Sequence, residues 1–173
     1  MGLLRRPRPD DVDVDSCLAN LDRLNALTAT GLMDAPARED LDGLARRAAA
    51  QLGTPMAFMS LVDNRRVFFA GAAGVTGELA ETRQNPVEAS YCQHVVAFDD
   101  VLVVDDALSD ALVVDNPATV EGGTRAYLGV PLRQNGFCLG SFCVVDVERR
   151  EWTDDDLAKL QTLADQAMQQ IAR

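Results

Sequence analysis

The segment Arg125–Val145, RAYLGVPLRQNGFCLGSFCVV, decides the fold. Two apolar runs, Arg125–Leu132 and Phe137–Val145, flank Gln134-Asn135-Gly136. Asn-Gly between apolar runs is the strongest short-range hairpin signal, because the favoured two-residue turn needs positive φ at both central positions. A hairpin makes its sheet antiparallel at that point. Upstream, Pro55–Val62 is a short apolar run that reads as a strand buried on both faces, Asp63-Asn64-Arg65 is turn chemistry, and Val67–Ala70 is the returning strand. Val101–Val104 adds a further strand, while glycines and scattered charge make Gly71–Pro86 a loop.

The flanks have a helical period instead. Ser16 is placed to cap a helix through Thr30, with Leu18, Leu21, Leu24 and Leu27 at three-residue steps and Gly31 beyond its end. A second helix starts near Pro36, aligns Leu41, Leu44, Ala45, Ala48 and Leu52, and stops at Gly53. The last helix has Thr153 as its cap, Asp154–Asp156 at its positive end, and Leu157, Leu160, Leu163, Ala164, Ala167 and Ile171 along one stripe. Between the strands, Ser90 is placed to cap a short helix through Phe98. The acidic connection Asp105–Gly123 is too long for a turn; segments of that length are usually functional or partly helical. Hairpins with segregated helices give one α+β domain over residues 16–173, preceded by a flexible arm at 1–15 that alternates Arg/Pro and then Asp/Val.

A chain of 173 residues, 47% hydrophobic and 25% charged, is long enough to bury a core without disulfides. The formal net charge of −11 argues against nucleic acid and anionic membrane as partners, since counterion release needs clustered Lys and Arg. The opening residues lack an apolar signal region and no stretch approaches ~18 apolar residues, so the expected setting is cytoplasmic, with Cys17, Cys92, Cys138 and Cys143 reduced.

The chain resembles a GAF domain from about Leu21 to Ile171. The resemblance is carried by Arg23-Leu24-Asn25-Ala26-Leu27, Gly31–Pro36, Met59-Ser60-Leu61-Val62-Asp63, Ala89–His94 and Asp115-Asn116-Pro117. To these are added Tyr127-Leu128-Gly129-Val130-Pro131-Leu132 and Leu139-Gly140-Ser141-Phe142-Cys143-Val144-Val145-Asp146, a pair typical of a subgroup common in bacterial signalling proteins. It implies an antiparallel sheet of about five to six strands, with terminal helices on one face and a short helix plus a long loop on the other. It also implies a small-molecule sensor without catalysis of its own, acting in signal transduction through a partner in trans, because no output domain follows in the chain. The ligand would sit under Ser90–Phe98 and Asp105–Gly123, where the long loop over a buried hairpin independently suggests a lidded cavity.

The candidate ligand-binding residues are Tyr91, Cys92, His94, Tyr127 and Cys143. A helix start lowers a thiol pKa, which would make Cys92 a thiolate; its plainer role is packing. Cys143 shares strand parity with Leu139, Ser141 and Val145, whereas Cys138 has the opposite parity, which keeps the two thiols on different faces. His94, the one histidine, would titrate near neutral pH if solvated. Cys92 and His94 stand two apart and diverge on a helix, against a zinc site, and Asp105, Asp106, Asp110 and Asp115 fit no calcium loop, so no metal is expected and no cofactor is implied. Cyclic-nucleotide and bilin signatures of the family are absent. Two rivals remain: a pure interaction scaffold, and a thiol-dependent free methionine sulfoxide reductase, against which counts the lack of cysteine from Ala107 to Arg125. A homodimer is expected through the terminal helices, with Leu157, Leu160, Ala164 and Ala167 meeting Leu21 and Leu24 at its seam.

Overall fold

The computed structural model describes residues 8–171. Among them, α1 (Val14–Leu18), α2 (Leu21–Ala29) and α3 (Glu39–Leu52) precede β1 (Met56–Val62) and β2 (Arg66–Ala73). Then follow α4 (Glu78–Thr82), β3 (Gln84–Pro86), α5 (Cys92–Phe98), β4 (Leu102–Val104), α6 (Pro117–Val120), β5 (Ala126–Gln134), β6 (Phe137–Asp146) and α7 (Asp154–Ile171). The sheet runs β3-β2-β1-β6-β5-β4, with every neighbouring pair antiparallel. This is the expected α+β architecture: α3 and α7 pack on one face, α5 and the connection after β4 on the other. No helix among the described residues is long and apolar enough to cross a membrane.

The β5–β6 hairpin turns at Asn135 and Gly136, with φ of 54° and 83°, the mirror-image turn that the Asn-Gly pair favours. Its ladder then slips: Arg133 pairs with Cys138 but Leu132 pairs with Gly140, leaving Leu139 as the extra residue of a β-bulge. The bulge inverts the parity of everything before it. Cys138 therefore lies on the same face as Cys143, and Leu139 on the opposite one, which corrects the alternation expected from the sequence.

On the first face, Leu41, Leu44, Ala45, Ala48 and Leu52 of α3 and Leu160, Leu163, Ala164 and Ala167 of α7 meet Met59, Leu61, Leu128, Val130, Phe142 and Val144. α7 opens on a reciprocal cap: Thr153 Oγ1 accepts from the Asp156 amide at 3.1 Å and the Asp156 carboxylate accepts from the Thr153 amide at 3.0 Å. Leu160, Ala164 and Ala167 are at most 1% exposed within this core. They are not available to the dimer seam expected of them, because the domain's own sheet already covers them.

The expected first helix is two helices. Asp13 caps α1, and Asn20 caps α2 by accepting from the Arg23 amide at 3.0 Å, so the chain turns at Ala19-Asn20. The turn carries Leu18 to the second face and Leu27 to the first. Arg23 is buried in the crossing; its guanidinium donates to Val62 O (2.7 Å), Leu18 O (2.9 Å) and Cys138 O beside the bulge (3.3 Å). α3 begins at Glu39 rather than at Pro36, and the segment read as a loop from Gly71 contains the end of β2, α4 and β3. Of the expected N-terminal arm, residues 1–7 lie outside the described residues; Arg8 makes a two-pronged ion pair with Asp110 at 2.7 and 2.8 Å.

Because Leu160 is filled in on all sides while Leu21 is 74% exposed, Leu160→Ala should lower the unfolding free energy by about 2–5 kcal/mol and Leu21→Ala by no more than about 0.5 kcal/mol. Urea titration checks both; equal costs would refute the assignment of α7 to the core.

Candidate functional site

On the second face, β1, β5 and β6 present Ser60, Tyr127, Ser141 and Cys143 side by side. Ser60 pairs with Ser141 across β1–β6, and Cys143 pairs with Gly129 across β6–β5. Gly129 decides how these groups meet. A Cβ there would lie 2.6 Å from Ser141 Oγ and closer still to the Tyr127 hydroxyl. Its absence lets the Tyr127 ring lie along its own strand and place its hydroxyl 2.8 Å from Ser141 Oγ and 3.3 Å from Cys92 Sγ.

The cover over this floor starts with a 3-10 turn at Val87–Ala89. The Ser90 hydroxyl donates back to Val87 O at 2.8 Å and does not cap α5, a correction to the cap expected from the sequence. Two ties fasten the connection after β4 to the start of α5. The Asn116 amide donates to Ser90 O at 3.1 Å while its oxygen caps α6. The Tyr91 hydroxyl bonds to Thr119 Oγ1, whose own hydrogen goes to Val113 O at 2.7 Å, so Tyr91 is the donor. Tyr91 and Tyr127 meet edge to face, with ring centroids 5.4 Å apart.

Between floor and cover lies a cavity of about 390 Å³. Of the five candidate residues, Tyr91, Cys92, Tyr127 and Cys143 line it; His94 does not. The cavity lies at the start of α5, under residues 117–124, rather than along the whole of Ser90–Phe98, because Val95 and Val96 are packed into the second-face core. Sequence reasoning missed Phe58, Ser60, Phe69, Leu79 and Ala118. Ser60 had a usable signal, as the one hydroxyl in the apolar run Met56–Val62. It is fully buried, faces the cavity, and its Oγ has no hydrogen-bond partner among the described residues.

The cysteines are unbridged thiols. The hydrogen bond with Cys143, opposed by burial and helped by the Tyr127, Ser60 and Ser141 hydroxyls, lowers the Cys92 thiol to about 7; Ser60 stands near enough to favour the anion without making a well-formed hydrogen bond to it. Burial, then the neighbouring Cys92, pushes Cys143 upward. Cys138, buried elsewhere on this face, is raised to about 11 by that burial. One of the two cavity thiols is thus poised to ionise while the other keeps its proton. His94 is buried against Phe98, at 5.9 Å between ring centroids, and its Nδ1 has no partner among the described residues. Burial, and secondarily Arg8, lowers it to about 4, with Asp110 opposing. The acidic residues of the connection are occupied in turns: Asp105 accepts from the Trp152 amide, Asp106 from Leu108, and Asp110 holds Arg8.

A family model described as GAF domain matches residues 36–171. A cyclic di-GMP phosphodiesterase of Pseudomonas aeruginosa is 33% identical over 144 residues; the match covers 82% of this chain, and the chain spans about a quarter (24%) of that relative's length. Among solved structures, the GAF domain of a phosphoenolpyruvate-protein phosphotransferase from Coxiella burnetii superposes with a TM-score of 0.65 at 18% identity, covering 90% of this chain and 94% of that one. Free methionine-R-sulfoxide reductase from Neisseria meningitidis, solved with its substrate, gives 0.63 at 18% identity and covers 99% and 96%. Part of a methyl-accepting chemotaxis protein gives 0.63 at 17%, covering 88% and 97%. At these identities the structural likenesses show the fold. The expectation of a domain with no catalysis of its own is overturned by these names: the curated relative is called a phosphodiesterase, and the Neisseria protein is an enzyme built on the same fold.

His94 has a consequence for stability. The unfolded chain takes up a proton on His94 near the ordinary value of 6.5, while the fold resists protonation until about 4. The group therefore costs nothing above pH 6.5 and removes stability as pH falls from there toward 4, by about 3 kcal/mol in all. Asp110, which faces it, is held below the usual carboxylate range against the effect of burial by its hydrogen bonds from Arg8, so it stays ionised over most of that window. Urea denaturation of His94→Gln should show a flatter pH dependence between pH 6.5 and 4 than the native chain; an identical slope would refute the buried neutral histidine.

Proposed function

Because the chain belongs to the GAF domain family, which is typical of signalling and sensor proteins, we propose that it senses a small molecule in the cavity beneath α6 and passes the signal to a partner in trans. The observation that carries this is the cavity itself: about 390 Å³, at the small end of the ~300–1,000 Å³ usual for ligand pockets, with a buried hydroxyl left unpaired at its floor. An unpaired buried hydroxyl costs on the order of 1–3 kcal/mol, which a ligand atom would recover. The cover gives the signal a route. Its far end, α6, closes the cavity, and its near end, Asp105, accepts from the Trp152 amide where the chain enters α7. Trp152 in turn donates from its ring to Val104 O at 2.9 Å. A ligand that shifts Pro117–Gly122 therefore pulls on the segment that sets the angle of α7.

The name of the Pseudomonas relative makes a cyclic di-GMP phosphodiesterase the candidate output, with this chain as the regulatory input. A homodimer belongs to the same reading, but its contact must use a surface other than Leu160, Ala164 and Ala167. The proposed setting is the cytoplasm, where the cavity thiols stay reduced.

Thermal denaturation against a panel of small metabolites tests the reading. A ligand at 100 times its Kd adds about 2.7 kcal/mol, enough to move the melting temperature by several degrees. The expected result is a compound that raises the melting temperature of the native chain but not of Ala118→Trp, which fills the cavity from the half-exposed cover; unliganded, the two should melt alike. A panel in which no compound separates the two proteins would contradict it.

A further inference from the structure

Resting on the sensing reading, we infer that the ligand of this cavity is an uncharged molecule with an apolar, ring-bearing body and a single neutral oxygen head, a carbonyl or hydroxyl, seated between Ser60 and Tyr127. Charge is the first ground. Among the described residues no Lys, Arg or His lines the cavity; its one carboxylate is Glu121 at the exposed rim, and Cys92 is poised to add a further negative charge. An anion entering here would leave water for a site with no cation to compensate it, beside a carboxylate and in a chain of net charge −11. Phosphate and carboxylate groups are commonly held in proteins by Arg forks or lysines, and neither lines this space. The nucleotide substrate named for the Pseudomonas relative is therefore not what this cavity accepts.

Shape and walls are the second ground. Phe58 and Phe69, packed with ring centroids 4.6 Å apart, form one wall with Val67 and Leu79; Tyr127 forms the other. Aromatic faces and edges at these spacings accept a flat ring well.

The head is fixed by what the floor can donate. Ser60 offers an O–H with no partner in hydrogen-bond geometry among the described residues, and Tyr127 and Cys143 beside it carry further hydrogens; Cys92, the thiol poised to ionise, is held by Tyr127 and makes no well-formed hydrogen bond to Ser60. No described side chain or backbone group supplies the acceptor that Ser60 lacks, so the missing partner is an acceptor oxygen on the ligand. A neutral oxygen meets that need at no cost in desolvated charge.

Calorimetric titration at pH 7.5 with methyl benzoate and with benzoate, molecules of similar shape that differ by one negative charge, tests this. The ester should bind at least ~10-fold more tightly than the acid, a difference of about 1.4 kcal/mol. Ser60→Ala, which removes an unpaired hydroxyl and should leave the melting temperature unchanged or raised, should weaken the ester several-fold. Acid binding as tight as ester binding would overturn the neutral-head assignment and leave the sensing reading intact. An ester affinity unmoved by Ser60→Ala would remove Ser60 as the head's partner. Binding of neither probe would overturn the assigned ligand class, whereas the sensing reading falls only if the metabolite panel also yields no ligand.

Discussion

The Tyr127 hydroxyl reaches Ser141 and Cys92 through space that any side chain at position 129 would occupy. Once the phenol is seated there, several features follow. The Tyr127 ring lies against β5 instead of standing up from it, so the second face has a recess where a bulky residue would otherwise fill the gap beneath the cover. Tyr91 can then pack edge-on against Tyr127, which brings the Tyr91 hydroxyl to Thr119 and pins the connection after β4 above the recess. Cys92, at the start of α5, is held over the strand pair that carries Cys143 and Ser141. The cavity is thus a by-product of one missing Cβ, kept open by two tyrosines that each have a fixed hydrogen-bond partner.

The two faces of the sheet divide the labour. The first is packed solid by α3 and α7, with leucines and alanines at near-zero exposure, and supplies most of the hydrophobic stabilisation. The second is only partly packed: Val95, Val96, Leu102 and Val104 fill one end, and the cavity takes the other. Regions that bind and respond are drawn from the less stable parts of a structure, and here those parts are short helices and turns joined by single side-chain hydrogen bonds. Because Asp105 and Val104 both bond to Trp152 at the entry to α7, the loosely held cover and the rigid helix pair share one joint.

Much of this was legible in the sequence, and the exceptions have local causes. Asn135-Gly136 announced the hairpin because few other residues accept that pair of φ values, and Thr153 followed by the acidic run Asp154–Asp156 announced α7, to which the structure adds the reciprocal bond with Asp156. The bulge at Leu139 was not legible: one unpaired residue in an apolar run leaves no mark on composition, yet it moves Cys138 to the other face. Asn20 competes with Ser16 and Asp13 as a helix start, and only the burial of Arg23 against three carbonyls shows why the chain turns there. Four of five candidate residues line the cavity because the motif places α5 and the hairpin together; His94 fails because two residues on a helix rotate a side chain about 200° away from Cys92. The walls supplied by Phe58, Phe69 and Leu79 come from strands and a short helix whose side-chain directions depend on the register of the whole sheet.

The crystal structure of Gly129→Ala bears most directly on this account. If the missing side chain is what seats Tyr127, the added methyl group should drive the Tyr127 hydroxyl off Ser141 and Cys92 and tip its ring into the cavity, reducing the volume from about 390 Å³. A Tyr127–Ser141 distance still near 2.8 Å, with the cavity unchanged, would contradict it.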